Sequence, residues 1–164
     1  LSAMETPAVP ETRDDSPLAE MAREIFGISM TAWQMRQRSK ATGGIDLSEA
    51  EYLTLDLLDR DGTMNVGQLQ RQIGVLPAQM SRIIRALESK FDKPLIECSI
   101  NPDDKRKVDV SLTDAGKKAH DKFRDARLGQ SMAVLSQLDE KDIEDFMRVM
   151  RRIREAMAPP PDDQ

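Results

Sequence analysis

Four side chains in one short run, Gln79, Ser81, Arg82 and Arg85, carry the functional groups that read base edges and phosphates. A glutamine amide can bond adenine through two hydrogen bonds, and an arginine fork can do the same with guanine. A serine hydroxyl serves either a base or a phosphate. All four lie in NVGQLQRQIGVLPAQMSRIIRALESK (residues 65–90), which reads as two short helices joined by a turn at Gly74. Pro77 and Ala78 open the second of these helices and complete the expected contact face. A second cluster follows at Asp104, Lys105, Arg106 and Lys107, at the tip of an expected β-hairpin. A helix shaped for the major groove, with a cationic finger for the backbone or minor groove, is a DNA-binding arrangement. The competing readings are surface ion pairs for Arg82 and Arg85, and an ordinary solvated turn for the tip.

The elements that must hold these residues are marked by caps. Ser16 before Pro17 opens a long helix whose apolar stripe runs through Leu18, Met21, Ile25, Ser29, Ala32 and Trp33. Gly43 and Gly44 are its expected stop. Ser48 and Glu51 form a capping box with Leu47 and Tyr52 as staple, and this second helix should reach about Asp59, burying Leu55 and Leu58. Asn65 and Gln68 box a third helix ending near Ile73, stapled by Met64 and Leu69. Pro77 starts a fourth that ends near Lys90 and buries Met80, Ile83, Ile84 and Leu87. Leu95–Ile100 and Lys107–Leu112 alternate as two strands. Thr113 caps a fifth helix; Asp139, stapled by Leu138 and Ile143, caps a sixth carrying Phe146, Val149, Met150 and Ile153 on one side. The expected fold is mainly α with a small β-hairpin wing. Residues 1–15 and 159–164 read as disordered tails, the latter beginning with Pro159, Pro160 and Pro161.

A chain of 164 residues fits one domain with its own core. Its net charge of −5 hides an asymmetry, since residues 60–118 hold eleven Lys or Arg against eight Asp or Glu. The binding face matters more to a phosphate lattice than the total does. One cysteine excludes an internal disulfide framework, and one cysteine with one histidine cannot make a conventional zinc site. No apolar run approaches a membrane span and no signal pattern opens the chain, so a cytoplasmic protein is expected. No cofactor motif, nucleophile–base pair or phosphate-cradling glycine loop is visible, which argues against an enzyme.

LSEAEYLTLDLLDRDG, VGQLQRQIGV, SRIIRALESK and INPDDKRKVDVSLTDAGKK together resemble the MarR-type transcriptional regulators. The wing is the most specific part: Asp104-Lys105-Arg106 fits the family's Asp-x-Arg, followed by Leu112-Thr113 and Ala115-Gly116. The resemblance implies one domain over residues 16–158. Residues 46–112 would be a winged helix-turn-helix, and residues 16–45 and 113–158 would be N- and C-terminal dimerisation helices. It implies a homodimer on a pseudo-palindromic double-stranded DNA operator, acting as a repressor. Arg106 would enter the minor groove, oriented by Asp104, with Lys105 and Lys107 on phosphates. Two departures stand out: Phe91-Asp92-Lys93-Pro94 replaces a shorter glycine turn, and Cys98-Ser99 stands where many relatives are basic. Weaker phosphate contact from that strand is expected.

Relatives also bind small, often aromatic anions between the dimer helices and the winged domain. Met30, Trp33, Met35 and Arg36 form the candidate lining of such an effector cleft, against ordinary core and dimer packing. Cys98 reads as inert rather than redox-sensing, with Glu97 expected to raise its pKa. His120 is expected on the surface of the fifth helix. The alternative from another class is a winged-helix dimer that serves as a protein-interaction module without binding DNA.

Overall fold

The computed structural model describes residues 15–41 and 45–157. The expected tails (apart from Asp15) and the Gly43–Gly44 helix stop lie outside those residues. The chain divides into two compact units, Leu1–Asp46 and Leu47–Gln164. The first holds helix α1 (Pro17–Ala41), where the Ser16 hydroxyl accepts from the Ala19 amide at 3.3 Å. That is the cap its Ser-Pro start predicts. Leu18, Met21, Ile25, Phe26 and Trp33 on this helix are all exposed.

The second unit runs α2 (Glu49–Asp61), β1 (Met64–Asn65), α3 (Val66–Ile73), α4 (Pro77–Ser89), β2 (Ile96–Ile100), β3 (Val108–Leu112), α5 (Asp114–Leu135) and α6 (Glu140–Met157). Both boxes form as read. Ser48 Oγ accepts the Glu51 amide at 3.1 Å while Glu51 Oε2 accepts the Ser48 amide at 2.9 Å, and Asn65 and Gln68 exchange two such bonds of 2.9 Å. α2 runs two residues beyond the expected Asp59, to Asp61, because its stop is Gly62 at φ 80°. Between α3 and α4, Gly74 adopts the left-handed conformation at φ 76°, where a Cβ would be strained.

The hairpin is part of a three-stranded antiparallel sheet in the order β1-β3-β2. β1 was not expected: Met64 pairs with Val110 and Asn65 with Asp109, so the residues read as staple and cap also extend the sheet. The core of this unit is aliphatic. Leu47, Leu55, Leu69, Met80, Leu87, Ile96 and Val110 are fully buried, each worth about 1.5–3 kcal/mol if a leucine-sized side chain is hidden. Ile83 is buried and Ile84 partly so. The helix-turn-helix and the sheet therefore share one core, which fixes the wing relative to α4.

α5 is joined to the sheet by a tight clamp. Thr113 Oγ1 donates to the Pro94 carbonyl at 2.7 Å and accepts the Gly116 amide at 3.0 Å, while the Thr113 amide bonds the Leu95 carbonyl. A Cβ at residue 116 would overlap that Leu95 carbonyl, so only glycine fits there. α6 is capped by Asp139, which accepts the Asp142 amide at 2.8 Å. It buries none of its residues. No helix among the described residues is long and apolar enough to cross a membrane.

Candidate nucleic-acid interface

α4 separates its side chains cleanly. Met80, Ile83 and Leu87 turn into the core, while Pro77, Ala78, Gln79, Ser81, Arg82, Arg85 and Ser89 are exposed. The helix carries one carboxylate, Glu88, which is half-buried near its C-terminal end. Neither Arg82 nor Arg85 makes an ion pair among the described residues, so surface pairing does not account for them. Ser81 Oγ donates to the Pro77 carbonyl at 3.1 Å, leaving its oxygen as an acceptor unless the hydroxyl turns. The exposed face is thus one of amide and guanidinium donors with little counter-charge. Such a face suits phosphates and the acceptor edges of purines.

The wing tip is built on Asn101. Its side-chain oxygen accepts the Asp103 and Asp104 amides at 2.9 Å each, and its nitrogen donates to Asp109 Oδ2 at 2.8 Å. Across the tip, the Asn101 amide bonds the Lys107 carbonyl and the Lys107 amide bonds the Asp104 carbonyl. Asp104 then accepts the Arg106 amide at 3.1 Å and its Nε at 3.2 Å, with Lys107 Nζ 3.5 Å from its other oxygen. The Arg106 amide, and next its guanidinium, hold the Asp104 carboxyl below the usual carboxylate range. Arg106 remains 91% exposed, and pairing through Nε leaves its terminal N–H groups for another acceptor. Lys105 and Lys107 are exposed as well. The ion pair expected between Asp104 and Arg106 is present in a pre-formed turn.

A helix-turn-helix with an exposed donor face, on one core with a cationic hairpin, defines a winged helix. Residues 47–108 match the sequence model of the MarR family. Over that stretch the chain is similar to the MarR family. Members of this family are regulators and not enzymes. Among solved structures, a MarR family protein from Bacillus stearothermophilus superposes with a TM-score of 0.71 at 18% identity, covering 85% of this chain and 94% of that one. YusO from Bacillus subtilis gives 0.69 at 21% identity, over 85% and 95%. The PcaV transcriptional regulator from Streptomyces coelicolor, solved in complex with its natural ligand, gives 0.56 at 17%, over 88% and 95%. No curated protein matches the chain.

Against this MarR-type frame, several sequence readings need correction. His120 is not on the surface: only 2% of it is exposed, because it sits where α5 packs on α2. Its ring stacks on Tyr52 at 5.1 Å, with Nε2 2.9 Å from Asp56 and Nδ1 3.1 Å from Asp121. Lys117 joins the same joint, 2.8 Å from Asp59 and 3.2 Å from Asp121. The bond to Asp59, first, raises the Lys117 pKa. Burial, then the Asp56 carboxylate, raises that of the Tyr52 phenol. Among the described residues, no group of three or more His, Cys, Asp or Glu is arranged to hold a metal ion.

Cys98 is pushed up to about 11, by burial first and then by Glu88, not by the neighbouring Glu97. Glu97 is exposed on the other face of β2, as strand alternation requires. The four residues of the candidate effector cleft all lie on α1, with Met30, Trp33 and Met35 exposed and Arg36 half-buried. Helical spacing puts Met30, Trp33 and Arg36 along one side of α1, but it turns Met35 away from them. A signal for Asn101 was available in Asn101-Pro102-Asp103-Asp104, a turn-forming run whose asparagine can bond its own following amides.

Proposed function

We propose that this MarR-like chain acts as a homodimeric repressor that binds a pseudo-palindromic double-stranded DNA operator. The observation that carries the proposal is the unpaired Gln79–Arg82–Arg85 face of α4, on the same core as the ordered Arg106 tip. α4 enters the major groove with Pro77, Ala78, Gln79, Ser81, Arg82 and Arg85 toward the bases and phosphates. Arg106, fixed by Asp104, reaches the minor groove, while Lys105 and Lys107 neutralise phosphates. The first wing strand adds little, since its exposed residues Glu97, Ser99 and Ile100 include no cation.

Residues 16–45 and 113–158 form the dimer helices in this reading. Support comes from the exposed Ile143, Phe146, Met147, Met150 and Ile153, which recur at three- and four-residue spacing along α6. A two-fold dimer presents two α4 helices and so asks for half-sites about one helical turn apart. Binding over a promoter blocks transcription, which makes repression the expected output. A small aromatic or anionic effector, held near Trp33 and Arg36, would release the DNA by preferring another spacing of the two α4 helices. The PcaV complex with its natural ligand is the precedent among proteins of this fold.

Selection from a randomised double-stranded DNA library tests this directly. The expected product is one inverted repeat bound by two copies, with a dissociation constant of about 10⁻⁸ to 10⁻¹¹ M. Enrichment of no sequence, with protein that is folded and dimeric, would reject DNA reading and favour the protein-interaction module.

A further inference from the structure

Among the large apolar side chains of residues 47–127, Leu76 is the most exposed, at 73%. It occupies the N-cap of α4, where its backbone is extended and its side chain can offer no capping bond. The other helices of this region are capped by side chains: Ser48 on α2, Asn65 on α3 and Thr113 on α5. A leucine at such a position forgoes the roughly tenfold helix stabilisation that Ser, Asp or Asn supplies. It recovers nothing by burial. Departures from local rules that the fold itself does not repay are expected at functional sites.

The neighbours of Leu76 define that contact. Pro77 and Ala78 beside it are exposed and apolar, and Gln79, Arg82 and Arg85 follow along the same helix. Glu88, near the C-terminal end of α4 and half-buried, is the one carboxylate of this helix, so the exposed face runs from apolar to cationic. A duplex satisfies both ends, because phosphates meet the guanidinium groups and a thymine presents its C5-methyl in the major groove. We propose that Leu76, flanked by Pro77 and Ala78, reads a thymine methyl in each operator half-site. This specificity rests on the DNA-binding function proposed above.

Deoxyuridine isolates the methyl group. Duplexes selected by the wild-type protein are resynthesised with uracil replacing each thymine in turn, and affinities are measured by fluorescence anisotropy. Wild type should lose about fourfold at one position per half-site, the worth of one buried methyl. Leu76→Ser restores a capping hydroxyl and should keep or raise the melting temperature, so it controls for folding. It should bind the thymine and uracil duplexes equally at that position. Equal wild-type affinity at every thymine overturns the proposal while leaving the selected operator, and DNA reading, intact. Sensitivity that persists in Leu76→Ser assigns the methyl to another residue and also overturns it. If no duplex is selected, the DNA-binding function fails and this specificity fails with it.

Discussion

Between residues 47 and 123 every helix hides side chains, and seven large apolar or aliphatic residues there, from Leu47 to Val110, are fully covered. From Glu140 to Met157, by contrast, none is hidden, although Ile143, Phe146, Met150 and Ile153 make a stripe as regular as that of α4. The winged region satisfies its apolar pattern within one protomer. α6 has the same kind of pattern and leaves it open. The difference teaches that amphipathicity predicts that a face will be covered, but not by which surface. In the proposed dimer the cover of α6 is the second copy, so folding of the wing and assembly of the dimer can be perturbed separately.

The largest effect should come from the closed core. Leu69→Ala removes a fully buried side chain and should cost about 2–5 kcal/mol in urea unfolding. A loss below about 0.5 kcal/mol would mean that this core is not the one holding α3 in place. Phe146→Glu should leave the helical content intact and weaken self-association about 100-fold or more, because the residue occurs twice in a two-fold interface. Sedimentation that shows an unchanged dimer would place the interface elsewhere. Arg106→Ala should weaken operator binding more than about tenfold with the dimer preserved, separating the wing from the assembly helices. Unchanged affinity would remove Arg106 from the contact set.

Smallest is the effect at Cys98. Its pKa is raised to about 11, so the thiol stays protonated at neutral pH and gains thiolate only as pH climbs towards that value. Alkylation near pH 8 should be at least about tenfold slower than for a free cysteine. Glu88→Gln should bring the pKa down and speed the reaction, whereas no change would show that burial alone protects the sulfur.

Local signals were legible and distant ones were not. The starts of α2, α3 and α5 follow from Ser48–Glu51, Asn65–Gln68 and Thr113 because a cap and its partner lie three residues apart. The exposed face of α4 follows from the spacing of Met80, Ile83 and Leu87. His120 defeats such reading, since its Asp56 partner is 64 positions away and only packing of α5 on α2 joins them. Glu88 reaches Cys98 from α4 for the same reason, so the obvious neighbour Glu97 misleads. β1 has two residues, too few for alternation to register. Leu76 carries no sequence signal of its own, because an apolar residue before Pro77 reads as core until its exposure is known.

The most direct test of the account is binding of the protein to its own upstream DNA and to a scrambled duplex across a salt series. Three wing cations per copy, Lys105, Arg106 and Lys107, make six in a dimer. With selectivity supplied by α4, they predict tight binding to the upstream duplex in preference to the scrambled one, with a log–log salt slope of about −5. Equal affinity for both duplexes with a slope near zero would contradict DNA reading by α4 and the wing.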